Sequence, residues 1–388
     1  MKKEIKDVLI NLESHGFLAY VVGGYVRNRL LGKTSSDIDI ITNARVKDIV
    51  LIFKDNVKKT GDYGTAKILI NNVSFDVATF RKEERYENNK PKDITYVDDL
   101  YTDLLRRDFT INTICMDKNE KIIDLLDAYQ DLERNMIYTV GDVSIKFKED
   151  KTRLLRAIRF MVTLNLKLSK DIDDYISNNK EDFLDIPYSI KKEEIDKIFT
   201  SKNYLEFIKY IKKYELEDYI GFKTSSLIKT SSTLGMWAQL NYDERFPFTR
   251  IEKNQINKIR ELISKKAISK YDIYLYGNYI AGIAGSILKI STNKINSIYM
   301  KLPIKSIKDI DISAKDIINI LDLKESSQIS IILKNIEKDK TFNDKGILYT
   351  LEYMVNIEGM NLLQNSENES VLNLVEFYYI QAKEYYKQ

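Results

Sequence analysis

Several residue types are scarce in this chain, and each shortage excludes something. Among 388 residues there is one cysteine, Cys115, so no disulfide can join two parts of the chain. One histidine, His15, excludes a histidine-rich zinc site. No run of about 18 apolar residues is present to cross a bilayer as a helix. The start, Met1-Lys2-Lys3-Glu4-Ile5-Lys6-Asp7, is charged with no apolar core behind it, unlike a secretory signal. These shortages predict a protein of the cytoplasm, a reducing compartment, that engages no membrane.

What is present points to a globular chain. Hydrophobic residues make up 44% of it, enough to bury sizeable cores. At about 150 residues per domain, the length predicts two or three domains. The formal net charge is only +3. It is unevenly spread: residues 221–310 hold 15 basic and 6 acidic side chains, a candidate polyanion-binding face. The first part reads as mixed α/β. Phe17 to Val22 is a β-rich run ended by Gly23-Gly24, Val26 to Leu31 a helix stopped by Gly32, and Ile38 to Ile41 a second strand. Thr65 to Ile70 and Val73 to Thr79 flank a turn at Asn71-Asn72, whereas residues 81–103 read as a charged loop. Beyond residue 150 the pattern is helical: Leu154, Leu155, Ile158, Met161, Val162, Asn165 and Leu166 keep a 3.6-residue period.

Three constellations carry chemistry. The first is Gly23-Gly24-Tyr25-Val26-Arg27 followed by Asp37-Ile38-Asp39. Two residues apart on a strand, Asp37 and Asp39 share one face. Their mutual repulsion calls for cations between them, as in a two-metal phosphoryl-transfer site. Mg²⁺ suits such oxygen donors together with substrate phosphates. Paired glycines let the backbone approach a triphosphate, and Arg27 can clamp a phosphate oxygen. The second is Arg106-Arg107-Asp108-Phe109-Thr110-Ile111-Asn112, where arginine and aspartate could meet a phosphate and a ribose hydroxyl; a local ion pair is the simpler reading of these residues alone. The third is Glu149-Asp150-Lys151-Thr152-Arg153, continued by Arg156 and Arg159 on a helix. An Asp–Arg pair sets an acceptor beside donors, which matches the Watson–Crick edges of cytosine and adenine and opposes like with like at uracil and guanine. Two mismatched polar groups cost about 2–6 kcal/mol, enough to select C and A without a nucleic-acid template. A helix-start salt bridge is the simpler reading of that spacing alone.

Taken together, Gly-Gly-x-Val-Arg, Asp-Ile-Asp, Arg-Arg-Asp-Phe-Thr-Ile-Asn and Glu-Asp-x-x-Arg-x-x-Arg-Ala-Ile-Arg-Phe resemble class II tRNA nucleotidyltransferases. These are the CCA-adding enzymes of the polymerase β superfamily, which also contains bacterial poly(A) polymerases. The resemblance spans residues 17–200, with Ser189 to Ser201 similar to the family's next helical element. It implies an α+β fold: a polymerase β-like head with a small mixed sheet over residues 1–140, a helical neck over 141–212, and a helical body and tail over 213–388 that bind tRNA. It implies that Asp37 and Asp39 hold the catalytic metals, with Mg²⁺ as cofactor, and that Gly24 and Arg27 contact the triphosphate. Arg107 would bind nucleotide with Asp108 near its ribose. Asp150 and Arg153 would read the base, with Arg156 and Arg159 completing the pocket. Asp76 stands where the family has an acidic residue near the metals. The implied substrates are CTP, ATP and the 3′ end of tRNA, with no role for DNA. Asn28 departs from the family, which has an aspartate there, so an ion pair to Arg27 is lost. Lys90 stands where an arginine is common, in a loop that helps the family switch from C to A. Poly(A) synthesis, CC-only or A-only addition, and an inactive RNA-binding module are the rival readings.

Overall fold

A computed structural model describes residues 1–302 together with Lys305 and Lys315. The chain opens with helix α1 (Lys3–Ser14), strand β1 (Ala19–Val22), α2 (Gly24–Leu30), β2 (Asp39–Thr42) and α3 (Val46–Phe53). Strands β3 (Val57–Gly61), β4 (Thr65–Ile70), β5 (Val73–Thr79), β6 (Arg81–Glu87) and β7 (Lys90–Tyr96) follow, then α4 (Leu100–Leu105), β8 (Cys115–Met116) and β9 (Ile122–Ile123). One mixed sheet gathers seven of these strands in the order β3-β4-β5-β2-β1-β8-β9. Its centre pairs β2 antiparallel with β1 and parallel with β5, which sets Asp39 opposite both Val22 and Asp76. Strand alternation puts Val22, Ile41 and Cys115 into a common apolar core with Phe80, just after β5, and Leu100 and Leu104 of α4.

Two local expectations are corrected. Residues 81–103 are no loop: β6 and β7 form an antiparallel hairpin, and α4 follows. Its turn is Asn88-Asn89, both left-handed with φ of 51° and 62°, a conformation asparagine tolerates well. Its dense charge is spent across the strands, in pairs such as Lys92–Glu87 and Arg85–Asp93. Strand β2 begins only at Asp39, so Asp37 precedes the strand rather than lying on it.

The helical region follows as α5 (Ala128–Glu133), the short strand β10 (Met136–Ile137), α6 (Val143–Glu149), α7 (Thr152–Leu164), β11 (Lys167–Leu168), α8 (Lys170–Asn178), α9 (Tyr188–Thr200) and α10 (Tyr204–Lys213). The parallel pair β10–β11 threads strand into this otherwise helical stretch. Asp142 caps α6 by accepting from Ile145 N at 2.9 Å. Leu154, Leu155, Ile158 and Val162 are buried on α7, as the period requires, and Asn165 ends it in the left-handed region.

Among the described residues, 1–223 and 241–247 form one compact unit, and 224–240 and 248–302 belong to a second. In the second, α11 (Thr233–Ala238), α12 (Arg250–Ser264), α13 (Lys270–Ile287) and α14 (Thr292–Met300) pack around Trp237, Ile259 and Ile283. Gly235 allows this approach, because a Cβ there would lie 2.4 Å from Ile283 Cγ2. Most of the expected tail, and the end of the basic segment 221–310, lie outside the described residues.

Candidate active site

The turn after β1 needs its first glycine. Gly23 has φ 72° and ψ −132°, a conformation open essentially to glycine, and a Cβ there would stand 3.7 Å from Asp39 Oδ2. Helix α2 follows at once and carries Arg27 into the interior, where only 6% of it is exposed. Asn28 restores a tie that its departure from aspartate was expected to remove: Arg27 donates to its Oδ1 from Nε at 3.2 Å and from Nη2 at 3.1 Å. Arg27 also donates to Asn112 Oδ1. Burial, then the charge of Arg159, lowers the Arg27 guanidinium to about 10.

Asp39 opens into the cleft at the start of β2. The protein around it pushes its carboxyl above the usual range, and Asp76 and Asp37 push the same way against Arg107 and Arg27. A carboxylate raised first by burial and further by two neighbouring acids suits a divalent cation taking oxygen ligands. Asp76 pairs with Lys67 at 3.5 Å. Among the described residues no three acidic, histidine or cysteine side chains converge at ligand distance.

Asp108 follows α4 and is nearly buried. Burial alone would raise its carboxyl. Arg156, together with hydrogen bonds from Asn112 Nδ2 and Phe109 N–H, overrules that and holds it well below the carboxylate range. Arg107 makes two long contacts, to Asn112 O at 3.4 Å and Asp103 Oδ2 at 3.3 Å. Its Nε is buried with no hydrogen-bond partner, the one such side-chain atom among the described residues.

The expected Asp150–Arg153 pair is loose. Nε of Arg153 lies 3.9 Å from Asp150 Oδ2, while its Nη1 donates at 2.8 Å to both Glu149 Oε2 and the Lys146 carbonyl. Asp150 Oδ1 instead accepts from Thr152 N and Oγ1 at the start of α7. The hairpin reaches this point. Tyr86 Oη accepts from Arg153 Nη2 at 3.3 Å and donates to Glu83 at 2.7 Å, and Asn89 Oδ1 accepts from Lys151 N at 2.8 Å. Half-buried Arg159 pairs with buried Glu194 of α9, 35 residues away.

Two adjoining hollows result, both in the first unit. One, of about 560 Å³, is lined by Gly23, Gly24, Arg27, Asp37, Asp39 and Arg159. The other, of about 350 Å³, is lined by Asp150, Arg153, Tyr63, Tyr86 and Glu83. Arg107, Asp108 and Arg156 line both and form the wall between them. All ten expected site residues therefore converge. Asn112, Phe160, Tyr86 and Glu194 were given no role from sequence. The first two sit inside the matched motifs, which was a usable signal; no spacing joins Tyr86 to Arg153 or Glu194 to Arg159.

A cleft with paired carboxylates at one end, clustered guanidinium groups and a second polar hollow belongs on a nucleotidyltransferase head. Residues 19–138 match the poly A polymerase head domain family, and residues 245–344 match tRNA nucleotidyltransferase domain 2. The chain is 30% identical to the CCA-adding enzyme of Staphylococcus haemolyticus over 88% of this chain and 94% of the relative. It is 31% identical to that of Ligilactobacillus salivarius over 89% and 95%. Its fold is similar to the Bacillus stearothermophilus CCA-adding enzyme in complex with CTP, with TM-score 0.82, 22% identity, and coverage of 92% of this chain and 100% of that one. The chain belongs to the CCA-adding enzyme family, and the likeness runs well beyond residue 200. No described helix is long and apolar enough to cross a membrane.

Proposed function

We propose that this protein adds C, C and A in turn to the 3′ end of tRNA, from CTP and ATP and without a template. The terminal ribose 3′-hydroxyl attacks the α-phosphate; a new O–P bond forms, the bond to the β-phosphate bridge breaks, and diphosphate leaves. Asp37 and Asp39 would hold Mg²⁺. Bound there, the metal lowers the pKa of the attacking hydroxyl and neutralises charge on the departing diphosphate. Gly24 gives the backbone close access to the polyphosphate, and Arg27 and Arg159 bind its oxygens. Asp108 holds Arg156 in place and lies near the ribose. Asp150 and Arg153 read the base edge, accepting from the exocyclic amine and donating to the ring acceptors of C or A.

The observation that carries this reading is the orphaned Nε of Arg107. A buried donor without an acceptor costs about 1–3 kcal/mol, a cost removed when an anionic nucleotide enters the shared wall. The basic segment 221–310 would take the tRNA backbone by shape and charge, so affinity should fall steeply with salt. Action in the cytoplasm belongs to the same proposal.

The test is a tRNA transcript ending before CCA, incubated with the protein, Mg²⁺ and each nucleotide singly or CTP with ATP, and sized at single-nucleotide resolution. Two C additions with CTP, a third nucleotide with ATP, and none from Asp37→Ala support the proposal. A stop after two additions marks a CC-adding enzyme, a long A ladder a poly(A) polymerase. No extension by the unaltered protein overturns it in favour of RNA binding without catalysis.

A further inference from the structure

Phe160 is 4% exposed on α7 and lines the larger hollow. Three guanidinium groups surround its ring. The Cζ atoms of Arg159, Arg27 and Arg156 lie 4.0, 4.9 and 5.6 Å from the ring centroid. Two of these cations have a carboxylate partner: Glu194 for Arg159 and Asp108 for Arg156. Arg27 has only the amide oxygens of Asn28 and Asn112 among the described residues. Arg27 therefore brings to the cluster a charge that no carboxylate pairs directly among the described residues, and Arg159 and Arg156 repel it. The electronegative face of an aromatic ring attracts a guanidinium within about 6 Å, most strongly where water is excluded. The ring is itself held edge-on to the buried Phe109, with centroids 5.7 Å apart and planes at 84°.

An apolar anchor alone would be served equally by leucine. Its ring would then be idle, and three cations would not need to converge on it. We infer that Phe160 is a positioning residue for the polyphosphate of the incoming nucleotide, its ring gathering Arg27, Arg156 and Arg159 into one cluster with a charge to spare for an anion. This rests on the proposed function for the ligand's identity, but not for the cluster. The role concerns phosphate and not base, so it acts alike on CTP and ATP.

The experiment uses the full chain with Phe160→Leu and Phe160→Tyr. Binding of CTP, ATP and inorganic tripolyphosphate is measured, alongside melting temperature and the KM and kcat of each addition. Phe160→Leu is expected to weaken all three ligands by a common factor of about 5 to 100. KM should rise for CTP and ATP together, with C and A selection retained, and Phe160→Tyr should restore binding. If Phe160→Leu does not fold, Phe160→Met carries the same comparison. Unchanged tripolyphosphate binding in the aliphatic variant, or a tyrosine variant as weak as the leucine one, overturns the inference. Should the unaltered protein extend no tRNA while tripolyphosphate binding still follows the ring, the proposed function falls and the ring's role stands. Should it extend tRNA with binding indifferent to the ring, only the ring's role falls.

Discussion

Arg156 donates twice to one oxygen of Asp108, from Nε at 2.9 Å and from Nη2 at 2.5 Å, joining α7 to the segment after α4. The contact fastens α7 to that segment at the wall between the two hollows. The Asp108 carboxyl is depressed in the folded chain, so its contribution is complete above the ordinary carboxylate range and is lost as pH falls below it. Acid titration of the melting temperature should show this loss in the unaltered protein and not in Asp108→Asn. At neutral pH that variant should be less stable by about 2–3 kcal/mol, below the cost of breaking a fully buried pair because Arg156 is partly open to solvent.

Lys191 carries the opposite sign. It is fully buried in α9, its Nζ donating to the Tyr219 carbonyl at 2.8 Å. Burial, then Arg245, pushes its amine down to about 8. Below that value the folded chain carries the cost of a buried cation. Between about pH 8 and the ordinary lysine range the unfolded chain binds more protons, so stability should rise with pH. Denaturant titrations at several pH values should show the rise, and Lys191→Met should flatten it.

Gly23→Ala should destabilise the chain by about 1–3 kcal/mol through its backbone alone. The Cβ meets Asp39 only at ordinary contact distance, so relief must come from moving the turn beside Asp39. Turnover should fall further than stability predicts, measured at a temperature where the variant is fully folded.

Tyr86→Phe removes the hydroxyl that links Arg153 to Glu83. One hydrogen bond of about 0.5–1.5 kcal/mol corresponds to about 2- to 10-fold. Discrimination against UTP and GTP should fall by that factor, read as the ratio of kcat/KM values, with tRNA affinity unchanged.

Local chemistry made much of the head legible. The β-rich run before Gly23-Gly24 and the period of α7 each depend on neighbours in sequence, and both folded as read. The hairpin over residues 81–96 was not legible, because its strands hold few apolar residues and are stabilised by charge pairs that exist only once the register is set. The same limit explains the distant partner of Arg153. Asp150 and Arg153 are close in sequence, and the expectation paired them; the structure gives Arg153 to Glu149 and, across 67 residues, to Tyr86. Convergence of the ten residues came from motif resemblance. The three-way gathering on Phe160 needed coordinates, since it joins α2 to α7.

The wall of Arg107, Asp108 and Arg156 has a consequence for fidelity. Where a template copies, information resides in a complementary strand, and errors follow base-pairing strength. In this protein the choice of nucleotide, on the proposed reading, resides in how rigidly Asp150 and Arg153 are held beside that partition. Heat or denaturant too mild to unfold the chain would first blur that partition. Accuracy should then decay before activity does, which makes misincorporation an early gauge of loosening where α7 meets the segment after α4.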